Sequence, residues 1–347
     1  MKYQRVVQKA EMNNMLKEML CNVKTVAISG HIRPDGDCIG SCLGLCRYLK
    51  DEYPQIQTDV YLEEFRPVFR FLSGAKEVHH DLEGAPVYDL FIALDCGDRE
   101  RLGFSVKLFD EARHTLCVDH HISNQAFAEK NYIVPDASST SELVYRLTEG
   151  VGISKEAAEA LYMGIVHDTG VFQYSCTAPE TMETAAALMR TGIDAPRIIE
   201  ETFFQKTYEQ NRILGKMLFD SKLYMEERCI AVSLSIEEMK KFHVTAKDVD
   251  GVVSQLRNTK GVELAVFLYE IAPGEYKASL RSSDRIDVSR LAGKFGGGGH
   301  KKASGFNMKE SPEEIIRLVI EAAQIQIADS EEETVPELSL IHISFKI

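Results

Sequence analysis

Four short clusters in the first half of the chain pair carboxylates with imidazoles: His31-Ile-Arg-Pro-Asp35-Gly-Asp37, Asp95-Cys-Gly-Asp98, Asp119-His120-His121 and His167-Asp168. Carboxylates with a few imidazoles suit Mn²⁺, or Mg²⁺ in its place, better than a thiolate-loving metal. Asp35 and Asp37 are two apart in a loop, so they can reach a shared centre from different sides. Gly36 lets the backbone bend between them, and Pro34 stiffens the entry to the turn. Asp95 ends its own apolar run and is placed to bridge two ions. This gives six ligands: His31, Asp35 and Asp95 for one ion, and Asp37, Asp95, His120 and Asp168 for the other. Two ions about 3.5–4 Å apart clamp a phosphate for in-line displacement.

Each cluster taken singly has an ordinary structural explanation. Asp95 alone reads as a helix N-cap, and Asp168-Thr-Gly reads as a helix end with an Asx-turn. Four clusters in order, each behind an apolar element, are not explained that way. Apolar strands that end in carboxylates and imidazoles gather ligands at one rim of a parallel sheet.

The elements that must do the positioning follow from patterning. Residues 23–29, 58–62, 88–94 and 115–118 are short, apolar and rich in β-branched types, and are predicted as strands. Residues 30–37 form a turn, and residues 38–49 have helical spacing. Cys38, Cys42 and Cys46 fall at i, i+4 and i+8 among small residues, and are read as small buried hydrophobes packed on the sheet. Ser139 with Glu142 fits a capping box ahead of a helix. Helices are also predicted over 154–166, which runs into His167-Asp168, and over 179–191. Strands alternating with helices imply βαβ units and a mostly parallel sheet flanked by helices.

The second half changes character. Residues 218–225, 230–234, 262–270 and 276–281 are predicted as strands of a smaller mixed sheet, with helices over 235–242, 249–259 and 312–328. Between them lies Lys294-Phe-Gly-Gly-Gly-Gly-His300-Lys301-Lys302. Backbone N–H groups of such a run, Gly298 and Gly299 included, can cradle a phosphate because no Cβ blocks the approach. Arg281 can hold a phosphate through two parallel hydrogen bonds. The expected layout is a metal-binding domain over 1–193, a helical connector over 194–216, a substrate domain over 217–328 and an unassigned tail over 329–347. A cleft between the two domains is expected to hold the substrate.

The 347 residues carry a formal net charge of −13. That argues against coating long nucleic acid or an anionic membrane, because such binding relies on many Lys/Arg–phosphate contacts. No apolar run approaches the roughly 20 residues needed to span a bilayer. The first 20 residues alternate charged and apolar types like an amphipathic helix, without the continuous apolar core of a signal peptide. Eight cysteines without a C-x-x-C pair fit a reducing cytoplasm.

Asp119-His120-His121, together with Gly296-Gly-Gly-Gly299-His300, resembles the DHH phosphoesterase superfamily with its accompanying DHHA1 domain. The resemblance runs from about residue 23 to 323. The compact two-domain form is similar to oligoribonucleases (nanoRNases) that also remove the 3′-phosphate of adenosine 3′,5′-bisphosphate (pAp). It implies a Mn²⁺-dependent hydrolase with two ions per chain and the ligand set above. It implies that His121 stays off the metals and acts near the scissile phosphate, and that Arg281 and His300 grip a terminal phosphate. Short RNA oligonucleotides and small phosphorylated nucleotides are the implied partners. A phosphodiesterase acting on c-di-AMP or pApA shares the architecture, and a family II-like pyrophosphatase and a non-catalytic nucleotide sensor rank below it. The oligomeric state is left open, a homodimer included. His167 stands where relatives usually carry a small polar residue, and is read as turned into a helix interface.

Overall fold

The computed structural model describes residues 15–148, 152–249, 251–283 and 285–333. The chain divides into two compact units, 1–205 and 206–347. The expected N-terminal amphipathic helix lies mostly outside the described residues, as does the tail from 334 on.

In the first unit, β1 (Thr25–Ser29), α1 (Gly36–Glu52), β2 (Gln57–Tyr61), β3 (Leu90–Leu94), α2 (Val106–Glu111), β4 (His114–Asp119) and β5 (Lys130–Ile133) form the sheet and part of its cover. The sheet order is β2-β1-β3-β4-β5, and every pair is parallel. Burial on both faces explains why β3 reads LFIAL with no polar alternation. Its side chains divide strictly by parity. Leu90, Ile92 and Leu94 join the large core that also holds α1, and Phe91 and Ala93 join a smaller aromatic core with Tyr61, Tyr88 and Phe109. Four helices complete the unit: α3 (Thr140–Leu147), α4 (Lys155–Asp168), α5 (Pro179–Met189) and α6 (Ala195–Ile199), with a π-turn over Glu200–Phe204. α1 and α4 cross closely at Gly40, where an added Cβ would come 2.5 Å from the Ala160 carbonyl oxygen.

Two features differ from the sequence expectation here. The edge strand β5, KNYI, was not expected, because an edge strand needs only one apolar face and gives a weak signal. The Ser139–Glu142 box is only half formed. Ser139 Oγ accepts from the Glu142 N–H at 3.0 Å, but the Glu142 carboxylate accepts from the N–H and hydroxyl of Ser138 instead. It also accepts from Thr181 Oγ1 at 2.9 Å and pairs with Arg146.

The second unit contains α7 (Tyr208–Asp220), β6 (Lys222–Tyr224), β7 (Cys229–Leu234), α8 (Ile236–Phe242), α9 (Val252–Arg257), β8 (Leu264–Ala272), β9 (Glu275–Ser282), α10 (Val288–Lys294), β10 (Gly298–His300), β11 (Ala303–Met308) and α11 (Pro312–Glu333). Its mixed sheet runs β10-β11-β9-β8-β7-β6, with only β7 and β8 parallel. Alternation along β8 again feeds two cores: Leu264, Val266 and Leu268 on one face, Ala265 and Phe267 on the other. The expected connector over 194–216 is divided between the units at 205/206. Residues 218–220, expected in a strand, finish α7, because Ile213 and Met217 bury that helix against the core. Gly298–His300, expected as a loop, is an edge strand paired antiparallel with β11.

Candidate metal centre and phosphate-binding strand

The strand order makes the centre. From β1 the chain passes through α1 to β2 on one side, then crosses to β3 on the other. The carboxyl ends of β1 and β3 therefore flank the point where the winding reverses, which is where doubly wound sheets bind ligands. His31 follows β1, Asp95 follows β3, and His120 follows β4.

Asp95 is the hub. It is 2 % exposed, and its backbone sits in the left-handed region at φ 54°, which turns the side chain off the strand axis. One carboxylate oxygen lies 3.5 Å from His31 Nε2, and the other lies 3.5 Å from His120 Nε2. Thr140 Oγ1 donates to it at 3.2 Å. Burial opposes ionisation of Asp95, but the His120 and His31 imidazoles outweigh it and hold the carboxyl below its usual range. For His31, burial favours the neutral ring, yet Asp35 and Asp95 raise its pKa to about 12. His31 Nδ1 sits 2.8 Å from the Ile32 carbonyl oxygen, which only accepts, so Nδ1 carries the proton and Nε2 faces Asp35 and Asp95.

Asp35 is the N-cap of α1 and accepts from the N–H groups of Asp37 and Cys38, both at 3.1 Å. Its other oxygen is 3.6 Å from His31 Nε2. Asp37 is fully buried. The first N–H groups of α3, from Thr140 at 2.6 Å and Ser141 at 2.9 Å, donate to its two oxygens. Burial, with Asp95 nearby, pushes its carboxyl up to about 7. Asp168 ends α4 and lies 3.1 Å from His120 Nε2. Burial and then Asp37 raise its pKa well above the usual range, whereas the neighbouring carboxylates raise His120 to about 10 against the effect of burial.

Three groups of donors lie close enough to hold a cation, with ligand atoms within 4.8 Å of one another: His31 with Cys38 and Asp95, Asp95 with His120 and His121, and Asp37 with His120 and Asp168. These groups bring together five of the six expected ligands; Asp35, the most exposed, is in none of them and reaches the cluster through His31 Nε2 at 3.6 Å. The donor set fits a divalent ion. Buried carboxylates crowd together, and His31 is held by a backbone carbonyl in the tautomer that presents Nε2, the usual arrangement of a metal-binding imidazole. The sequence reading missed Cys38 as a donor, because apolar spacing on a helix face carried no sign of which residue sits over the strand ends.

His121, expected to stay off the metals, lies within one of these groups, with its Nδ1 3.7 Å from Asp95 Oδ1, but has a closer partner. Its Nδ1 donates to Asp119 Oδ1 at 2.7 Å, and Asn124 Nδ2 holds the other Asp119 oxygen at 2.7 Å. Asp119 is fully buried, so this pair fixes the ring. His167 is turned away from the cluster. Its Nε2 meets Thr202 Oγ1 at 3.0 Å, with the Phe69 and Phe203 rings at 5.2 and 5.6 Å, and burial lowers its pKa to about 4.

In the second unit, register aligns the other expected residues. Ala303 opposes Arg281 on one side and His300 on the other. Residues directly opposite share a face, so Arg281 and His300 stand in one row across β9, β11 and β10. The hairpin turn is anchored where it passes them: the Ser282 N–H donates to the Lys302 carbonyl oxygen at 3.1 Å, and the Val288 N–H to that of Lys301 at 2.9 Å. Gly299 is at φ 143°, and a Cβ there would sit 2.6 Å from the Ala303 carbonyl oxygen. The glycine run thus lets an edge strand close on β11, while Gly298 faces open space.

The DHH family N-terminal domain matches residues 25–165, and the DHHA1 domain matches residues 228–329. The chain is 29 % identical over 288 residues to a bifunctional oligoribonuclease and PAP phosphatase NrnA of Thermus thermophilus, covering 82 % of this chain and 84 % of that one. It is 28 % identical to the NrnA of Bacillus subtilis, with 81 % and 88 % covered. An exopolyphosphatase-related protein of Bacteroides fragilis superposes with a TM-score of 0.86 at 28 % identity, over 93 % of this chain and 98 % of that one. A DHH domain followed by a DHHA1 domain, with aspartates and histidines meeting at the carboxyl ends of the parallel strands, makes this chain an enzyme of the DHH phosphoesterase superfamily.

Proposed function

We propose that the protein hydrolyses short 5′-phosphorylated oligoribonucleotides to mononucleotides, and pAp to AMP, using two Mn²⁺ ions per chain, with Mg²⁺ as a substitute. One observation carries the reading. The Asp95 carboxylate lies between His31 and His120, one oxygen toward each, at the switch point of the sheet. The relatives named for oligoribonuclease and PAP phosphatase activity support the substrate class.

His31, Asp35 and Asp95 would hold one ion, and Asp37, Asp95, His120 and Asp168 the other. A pair of divalent ions in such a donor set supplies Lewis-acid polarisation of phosphoryl oxygens and makes water more acidic. Asp37 is held by two N–H groups of α3, and His31 by the Ile32 carbonyl, so neither reorganises during reaction. His121, oriented by Asp119, hydrogen-bonds a phosphoryl oxygen and assists the leaving alkoxide. Arg281 and His300, in one row of the second sheet, bind the substrate's terminal phosphate with help from the Gly298–Gly299 backbone.

The test is a side-by-side assay of pAp, pApA, a five-residue RNA, c-di-AMP and pyrophosphate, with Mn²⁺ and with a chelator. Mn²⁺-dependent turnover of pAp and the RNA, with little of c-di-AMP or pyrophosphate, is expected. Preferred turnover of c-di-AMP would replace the substrate class, and turnover that survives chelation would remove the metal centre. Asp95→Ala should lower kcat/KM by more than about 100-fold together with metal occupancy, since changes even outside the ligand shell cost 10–100-fold.

A further inference from the structure

The proposed reaction makes no use of Cys38. Its sulfur, a ring nitrogen of His31 and a carboxylate oxygen of Asp95 lie within 4.8 Å of one another, and all three residues are buried. Donors that share one ion lie roughly 2.0–2.3 Å from it, so the three would close inward on a shared ion. The placement follows from the fold. α1 begins at Gly36, which puts Cys38 in its first turn with its N–H on the Asp35 cap. The sulfur occupies the space beside Gly30, where a Cβ would come within 2.3 Å of it. It approaches the His31 carbonyl oxygen at 4.0 Å, and the His31 side chain in turn reaches Asp95 at 3.5 Å.

Resting on the reading of this rim as a metal centre, we propose that Cys38 is a further ligand of the ion held by His31 and Asp95. Its sulfur tunes that position toward borderline-soft divalent ions such as Co²⁺, Zn²⁺ and Cd²⁺, and away from Mg²⁺. Thiolate favours such ions, whereas an all-oxygen and imidazole set does not. As the sulfur–metal bond forms, the thiol proton passes to solvent and the metal keeps its oxidation state.

Cobalt distinguishes this inference from the reading beneath it. The full-length protein is loaded with Co²⁺, and the bound ion is counted by elemental analysis. A sulfur-to-cobalt charge-transfer band in the near ultraviolet is then sought in the wild type, Cys38→Ser and Cys38→Ala. The inference expects the band in the wild type and its loss in both variants, with bound Co²⁺ retained. Competition should also show the preference for Cd²⁺ over Mg²⁺ falling by at least about tenfold in Cys38→Ser, the scale of ligand-shell changes. Bound Co²⁺ without the band, or a band that persists in both variants, overturns the role of Cys38 and leaves the metal centre standing. No bound Co²⁺ in the wild type overturns both.

Discussion

At the scale of single residues, the rim works by assigning each donor atom a partner before any substrate arrives. His31 and His120 are the clearest case. Without metal, neighbouring carboxylates raise their pKa values to about 12 and about 10, so both rings are protonated at neutral pH. Metal binding needs neutral rings and must expel those protons. The sign follows: apparent Mn²⁺ affinity increases as pH rises, because fewer protons compete. Calorimetry in buffers of different ionisation enthalpy should register proton release on binding. His121 makes a different demand, since the buried Asp119 holds its Nδ1. Asp119→Asn should lower kcat by about 10–100-fold with metal occupancy retained, by analogy with other partners that orient a histidine. Loss of metal from that variant would instead make Asp119 part of the metal support. The six candidate ligands stood out in the sequence as acidic and imidazole clusters that each follow an apolar element. The tautomer of His31 and the nearness of Cys38 were not legible there, since both depend on backbone atoms and on one glycine's open space.

At the scale of elements, two helix starts and one helix crossing set the ligand spacing. The N-terminus of α3 holds Asp37, and the same turn is tied back through the buried Glu142 to Ser138 and Thr181. The α1–α4 crossing sets the distance between Asp37 on one helix and Asp168 on the other. Gly40→Ala should therefore be costly. Its Cβ would meet the Ala160 carbonyl oxygen at 2.5 Å and Gly164 Cα at 2.9 Å, both backbone atoms that cannot swing aside. Overpacking costs about 1–3 kcal/mol, and the helix propensity gained from alanine returns only about 0.5–1 kcal/mol. A net loss of about 1–2 kcal/mol is expected in chemical denaturation, with weakened Mn²⁺ binding, and unchanged stability would refute the close crossing. Most central elements were readable from their patterning. The edge pieces β5 and β10 were not, because a strand with one neighbour needs little apolar signal, and in β10 glycine replaced side-chain patterning altogether; β6 was expected but begins later than its pattern suggested.

At the scale of the whole molecule, the chain joins two units with separate cores, the first carrying the candidate metal donors and the second the Arg281–His300 row. Among the described residues no helix is long and apolar enough to cross a membrane. A net charge of −13 disfavours binding long polyanions. The order of the two units was legible because their patterning differs, and their division at 205/206 falls within the expected polar, helical connector over 194–216. The central claim is that Asp95 is shared by two ions. Crystals grown with Mn²⁺ and measured at the manganese absorption edge test it most directly. Two anomalous peaks about 3.5–4 Å apart, one on each side of the Asp95 carboxylate, are predicted, and a single peak, or none among these residues, would contradict it.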